Sequence, residues 1–144
     1  MQEDIRIYRL TVCDEAVVAA VKQLLSQLVS SPVECTAETL RAILESDNSA
    51  MYVAEYEGRV CGMITLARYY APTGIKQWIE DVVVDSSVRG KSVGRRLVLH
   101  AIEQAKEFGG TLMLTSRPSR VAANNLYRSL EFESKETNVY KMKV

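Results

Sequence analysis

The stretch from Trp78 to Phe108 constrains the fold more than any other part of the chain. Trp78-Ile79-Glu80-Asp81-Val82-Val83-Val84 is rich in β-branched residues, as a central strand is. It runs into the basic, glycine-containing turn Arg89-Gly90-Lys91-Ser92-Val93-Gly94-Arg95-Arg96. A helical period follows from about Ser92, with Val93, Leu97, Ala101, Ile102, Ala105 and Phe108 marking its buried face. Gly109-Gly110 ends that helix, and Thr111-Leu112-Met113-Leu114-Thr115 reads as a short apolar strand. Strand, helix and strand in this order make a crossover rather than a hairpin.

Other elements can be placed around this crossover. Ile5-Arg6-Ile7-Tyr8-Arg9-Leu10 alternates as a half-buried first strand. Asp14 can cap a helix whose Val17, Val18, Val21, Leu24, Leu25 and Leu28 share a face, with Pro32 beyond its end. Thr36 can cap a shorter helix directed inward through Leu40, Ile43 and Leu44. Met51 to Tyr56 and Val60 to Ala67 form a hairpin around Glu57-Gly58. A helix from about Arg120 to Leu130 and a last strand, Asn138-Val139-Tyr140-Lys141-Met142, complete the order β-α-α-β-β-β-α-β-α-β. Mixing hairpins with a crossover predicts an α+β domain, its mixed sheet flanked by helices on both faces. No linker, repeat or low-complexity tract divides residues 1–144, so a single domain is expected.

Composition narrows the partners. Lys and Arg number 18, as do Asp and Glu, so no global field draws the chain to nucleic acid or membrane. No apolar run approaches the roughly 20 residues of a bilayer span, and the amino end lacks the layout of a secretory signal. Cys13, Cys35 and Cys61 are widely spaced and share the chain with one histidine, His100. That is a poor metal kit, and three free thiols in a reducing cytoplasm are expected.

The turn after the central strand admits two readings. It is a plain connection with solvated basic residues, or an anion site. The second follows from backbone N–H groups gathered at a helix N-terminus, where the helix dipole also favours negative charge. Gly90 and Gly94 would let a ligand approach the backbone, and Arg89, Lys91, Arg95 and Arg96 add positive charge. A P-loop is excluded because Asp85 stands where its first glycine is required. A dinucleotide fingerprint is excluded because no G-x-G-x-x-G occurs here.

The segment resembles motif A of the GCN5-related N-acetyltransferases, Gln/Arg-x-x-Gly-x-Gly/Ala after a strand bearing an acidic residue. Arg89 takes its first position and Gly94 its last, while Ser92 replaces the middle glycine. Downstream, Ala122-Ala123-Asn124-Asn125-Leu126-Tyr127-Arg128-Ser129-Leu130-Glu131-Phe132 resembles motif B, A-x-x-L-Y-x-x-L-G-F, with Glu131 in place of its glycine. Arg120 stands where an asparagine is often found. The two motifs and the order of elements extend the resemblance over nearly the whole chain.

This resemblance implies an acetyl-CoA-dependent transferase acting on a primary amine by direct transfer, with acetyl-CoA as cosubstrate and no metal. It implies a bulge in the central strand that splays it from its neighbour, leaving the backbone of Val82, Val83 and Val84 to pair with the pantetheine arm. The pyrophosphate would rest on the turn Arg89, Gly90, Lys91, Ser92, Val93, Gly94 and Arg95, and Asn124 would touch pantetheine or nucleotide. Glu80 is the candidate base, in a run that resembles the glucosamine-phosphate acetyltransferases. Asp81 is second, pointing to the other face if alternation holds. Tyr127 falls where the family places a phenol near the coenzyme sulfur, for cofactor contact and proton donation. The acceptor would be a small-molecule or peptide amine, and the resemblance admits a homodimer. The alternative is a non-catalytic acetyl-CoA-binding module, in which Ser92 and Glu131 are signs of decay.

Overall fold

The computed structural model describes residues 4–31 and 33–144. The chain forms two compact units, one ending at Leu114 and one running from Thr115 to Val144. The first holds β1 (Ile5–Arg9), α1 (Glu15–Leu28), α2 (Ala37–Leu44), β2 (Ser49–Tyr56), β3 (Arg59–Ala71), β4 (Gly74–Val84), α3 (Val93–Lys106) and β5 (Thr111–Met113). A 3-10 turn, Ser86–Val88, separates β4 from α3. The second unit holds α4 (Val121–Ser129).

Local chemistry sets the boundaries. The Asp14 carboxylate accepts the Val17 N–H at 2.9 Å and starts α1, while Thr36 starts α2 in a reciprocal cap with Thr39. Pro32, expected to follow α1, lies outside the described residues. Glu57 and Gly58 both have positive φ, 53° and 74°, and join the paired residues Tyr56 and Arg59. That is a type I′ turn, whose twist suits the right-handed strands on either side.

The sheet order is β1-β2-β3-β4-β5, antiparallel from β1 to β4 and parallel between β4 and β5. On one face Val21, Leu24, Cys35 and Leu40, from α1, α2 and the segment between them, pack with Met51, Val53, Met63 and Val83. The intervening residues look the other way, where the ring of Tyr52 meets that of His100 on α3 at 4.8 Å. Leu97, Val98 and Ala101 of α3 are fully buried. Helices therefore cover both faces, which explains the unbroken burial of Met51-Tyr52-Val53-Ala54.

Two contacts fix α3. The Gln77 side chain, 1% exposed, donates to the carbonyls of Ala105 and Gly109 at 2.8 Å each and ties the end of α3 to β4. At Gly62 on β3 an added Cβ would lie 3.0 Å from Leu97 Cδ1 and 3.3 Å from Val93 Cγ1, so the missing side chain lets α3 ride close to the sheet.

The structure corrects three sequence expectations. Phe108 is 45% exposed rather than buried. The Arg68 guanidinium covers its ring at 3.5 Å, so a cation rather than the core satisfies it. Asn138–Met142 is not a strand among the described residues. Its alternation has no ladder partner, and Tyr140 is 89% exposed. Strands β3 and β4 run beyond the expected Val60–Ala67 and Trp78–Val84 and form a hairpin, paired from Gly62↔Val84 to Ala71↔Gly74. Among the described residues no helix is long and apolar enough to cross a membrane.

Gly110 closes the α3–β5 connection at φ 80°, and an added Cβ would meet Ile75 Cβ at 2.7 Å, with the Ile75 carbonyl oxygen closer still. Gly110→Ala is expected to destabilise the protein by about 2 kcal/mol, through left-handed strain and overpacking together. Urea denaturation checks this, and an unchanged midpoint would show that the connection yields.

Candidate active site

Strand β4 carries the distinctive geometry of the first unit. Thr65 pairs with Glu80 and Met63 with Val83, so Ile64 alone stands opposite Asp81 and Val82. This is the expected bulge, and Asp81 adopts φ 51° to make it. One extra residue exchanges the faces of the strand. Gln77 reaches α3, yet Val83 packs with α1, although unbroken alternation would put both on one side. Glu80 shares the α1 and α2 face, because its partner Thr65 alternates with Met63. Alternation therefore fails as a guide to Asp81, whose charge reaches the Cys35 thiol, a group raised chiefly by burial and then by Cys13.

Only Lys76, Gln77 and Trp78 of β4 pair with β5. From Ile79 onward that edge of β4 has no strand partner among the described residues, while the other edge stays on β3 through Val84. This is the splay. Val83 is buried and Val82 and Val84 are partly buried, so what they offer is backbone rather than side chain.

Glu80 and Asp81 are both exposed. The Glu80 carboxyl is raised above its usual range by partial desolvation and then by the Asp81 charge. Trp78, half-buried on the same face, donates its indole N–H to the Tyr69 hydroxyl at 3.4 Å.

Beyond β4, the first helical hydrogen bond of α3 runs from Arg96 N–H to Ser92 O at 3.0 Å, so the amides of Val93 and Gly94 precede the ladder. Arg89, Gly90 and Arg95 are exposed there. Lys91 Nζ lies 5.4 Å from the centre of the Tyr56 ring, at the tip of the β2–β3 hairpin. Arg96 is structural, donating to the Ile5 carbonyl at 2.9 Å. Gly90 has φ 86°, and Ser92 lies in the left-handed region at φ 61°, ψ 26°, with no cap from its side chain. The serine keeps the backbone its motif glycine would take, and the cost is left-handed strain.

One further contact has no signature in the sequence. The Gln27 amide donates to Asp85 Oδ1 at 2.7 Å and accepts the Ser86 N–H at 3.0 Å, joining α1 to the end of β4. Residues so far apart in the chain share no local pattern.

In the second unit, α4 ends in a Schellman motif. Phe132 N–H bonds Tyr127 O and Glu131 N–H bonds Arg128 O, both at 3.1 Å, with Glu131 at φ 71°. The Phe132 ring meets the Tyr127 ring edge-on at 6.1 Å, the hydrophobic contact that accompanies this cap. Motif B's Leu-Gly-Phe ending is thus a helix stop, and Glu131 occupies its left-handed position. Tyr127 is buried, and burial raises its phenol pKa against the smaller opposing effect of Arg120. Asn124 Nδ2 donates to the Arg117 carbonyl at 2.9 Å, which commits one end of that amide to the preceding loop.

Comparisons agree with this architecture. The model of the Acetyltransferase (GNAT) family matches residues 19–132, and the chain belongs to that family. No curated protein sequence matches it significantly. Among solved structures it is similar to a protein of Agrobacterium tumefaciens named as an acetyltransferase, with TM-score 0.83, 23% identity, and coverage of 96% of this chain and 99% of that one. An aminoglycoside acetyltransferase from an uncultured soil metagenomic sample superposes at TM-score 0.82 and 19% identity, over 97% and 95% of the two chains. Glucosamine-6-phosphate N-acetyltransferase of Arabidopsis thaliana does so at 0.79 and 24%, over 97% and 99%.

The two replaced glycines generate a prediction. Ser92→Gly and Glu131→Gly should each raise stability by about 0.5–1 kcal/mol, the relief of left-handed strain less the entropy glycine adds to the unfolded chain. Thermal unfolding of each variant checks this, and a lower Tm in either would place that residue outside the strained region.

Proposed function

We propose that the protein transfers the acetyl group of acetyl-CoA directly to a primary amine of a small molecule or peptide. The observation that carries this reading is β4 itself. Its bulge and one-sided ladder leave a length of backbone unpaired, and the strand leads straight into the basic turn at the start of α3. The residues present fit the coenzyme. The Val82–Val84 backbone suits the pantetheine amides, and the amides from Arg89 to Arg95, with Arg89, Lys91 and Arg95 around them, suit the pyrophosphate. The thioester supplies an activated acyl carbon when bound.

In this reading the chain's residues move protons while a C–N bond forms and the C–S bond breaks. Glu80 takes the proton of the attacking amine, directly or through water, and its raised pKa brings it closer to that task than an ordinary carboxylate. Tyr127 is assigned the proton for the departing thiolate. Support comes from the motif it sits in, from a phenol that burial keeps protonated, and from a ring held by Phe132. Asn124 is assigned a coenzyme contact through the amide oxygen. The non-catalytic alternative rested on Ser92 and Glu131, and both keep the left-handed backbone that a motif glycine would adopt.

Glu80→Gln tests the base. Because the folded pKa of Glu80 is raised, its ionised form is disfavoured in the native state, and that penalty grows as pH rises through the pKa. The variant should therefore be at least as stable as the parent at neutral pH, with the difference vanishing below about pH 4. In contrast, kcat/KM for an accepted amine should fall about 10²-fold near neutrality and recover as pH approaches the amine's own pKa. A pH–rate profile equal to the parent's would remove Glu80 from catalysis.

Tyr127→Phe tests the acid. Stability and coenzyme affinity should stay near the parent's, because the ring and its contact with Phe132 remain. Single-turnover acetyl transfer should slow by about 10²-fold, the lower end of the effect of losing a general acid. An unchanged single-turnover rate would make Tyr127 a packing residue.

A further inference from the structure

The strand that would hold the coenzyme and the turn that would hold its pyrophosphate are joined by one short segment, Asp85 to Val88. That segment is fastened at nearly every residue. Asp85 N–H bonds the Cys61 carbonyl of β3 at 2.8 Å, and Val88 N–H bonds Asp85 O at 3.1 Å. Asp85 Oδ2 accepts the Ser87 N–H at 3.1 Å and also the Ser87 hydroxyl, which Arg59 Nη2 reaches at 3.3 Å. The remaining carboxylate oxygen and the Ser86 N–H belong to Gln27, at 2.7 and 3.0 Å. Val88 is buried at the end of the segment.

Gln27 makes the one fastening between this segment and α1 in that set. It uses both ends of its amide, donating to one residue and accepting from the next. A carboxamide is suited to this because it carries a donor and an acceptor on one rigid plane. Its own position is set by the last turns of α1, where Leu24 is fully buried. The helix is therefore anchored in the core, and the amide carries that anchorage to the segment.

We propose that Gln27 is a positioning residue for coenzyme binding, setting the height and angle at which the chain enters the Arg89–Arg95 turn. The proposal rests on the coenzyme reading given above. Backbone donors bind an anion well only when held in place beforehand, so loosening the segment should weaken binding even where the fold survives.

Coenzyme A binding by calorimetry tests this in Gln27→Met, Gln27→Glu and, as a marker of the turn, Gly94→Asp. Gln27→Met keeps the length and removes both hydrogen bonds. Its dissociation constant should rise about tenfold or more at a temperature where the variant is fully folded. Gln27→Glu places a second carboxylate against Asp85, with Arg59, through Ser87, the cation in the same network. Its affinity relative to the parent should fall at pH 8 and recover at pH 5, where the introduced carboxyl, once protonated, can donate again. A purely structural Gln27 would lower Tm and leave the affinity of the folded protein and its pH dependence unchanged. If Gly94→Asp abolishes binding while both Gln27 variants bind within twofold of the parent at both pH values, the positioning role is overturned and the coenzyme turn stands. If Gly94→Asp binds as the parent does, the coenzyme lies elsewhere and both readings fall. If Gln27→Met does not fold, the pH response of Gln27→Glu decides.

Discussion

The first unit depends on β4 being paired from end to end on one edge, save at its bulge, and briefly on the other. Its ladder with β3 extends from Gly74 to Val84, whereas β5 takes only Lys76, Gln77 and Trp78. A buried backbone amide or carbonyl must find a partner, so a half-zipped central strand holds a strong demand for hydrogen bonds in a defined place. The Asp81 bulge intensifies this. It turns the strand after Glu80 and moves Val83 into the core beneath α1. Aspartate tolerates the left-handed conformation better than most side chains, which is one physical reason for an acidic residue at this point.

Around that strand, α3 acts as a rigid spacer. Gln77 holds its last turn, Gly62 and Leu97 set its height over the sheet, and Arg96 reaches across to β1. The basic turn therefore begins a helix whose position is determined along its whole length. Charge is arranged with the same economy. Glu80 sits on the face that carries α1 and α2, with Asp81 next to it at the bulge, and the cations Arg89, Lys91 and Arg95 follow past the end of the strand.

Much of this was legible in the sequence because the signals are local. Asp14 and Thr36 cap the helices they precede, Glu57-Gly58 makes its two-residue turn, and the glycines at 109 and 110 end α3 with positive φ. Motif spacing located the turn and the α4 tyrosine. What escaped was non-local. The register that creates the bulge is a property of β3 and β4 together, and the Gln27 contact spans 58 residues of chain. Phe108 has the period of a core residue, but Arg68 provides an alternative to burial that no helical wheel contains. The alternation of Asn138 to Met142 resembles a strand, yet a strand exists only where another one pairs with it. Glu131 looked like a lost glycine, whereas the Schellman hydrogen bonds around it are intact.

The chain contains a single tryptophan, and it is Trp78, two residues before Glu80 on the same face of β4 and hydrogen-bonded to Tyr69. Its indole is half-buried at the point where β5 stops pairing. The protein therefore carries a native optical reporter beside its candidate base, with no other indole to dilute the signal. Quenching and spectral shift at this one fluorophore follow changes in the charge and hydration of the Glu80–Asp81 face, so occupancy of that face can be watched in real time without a label.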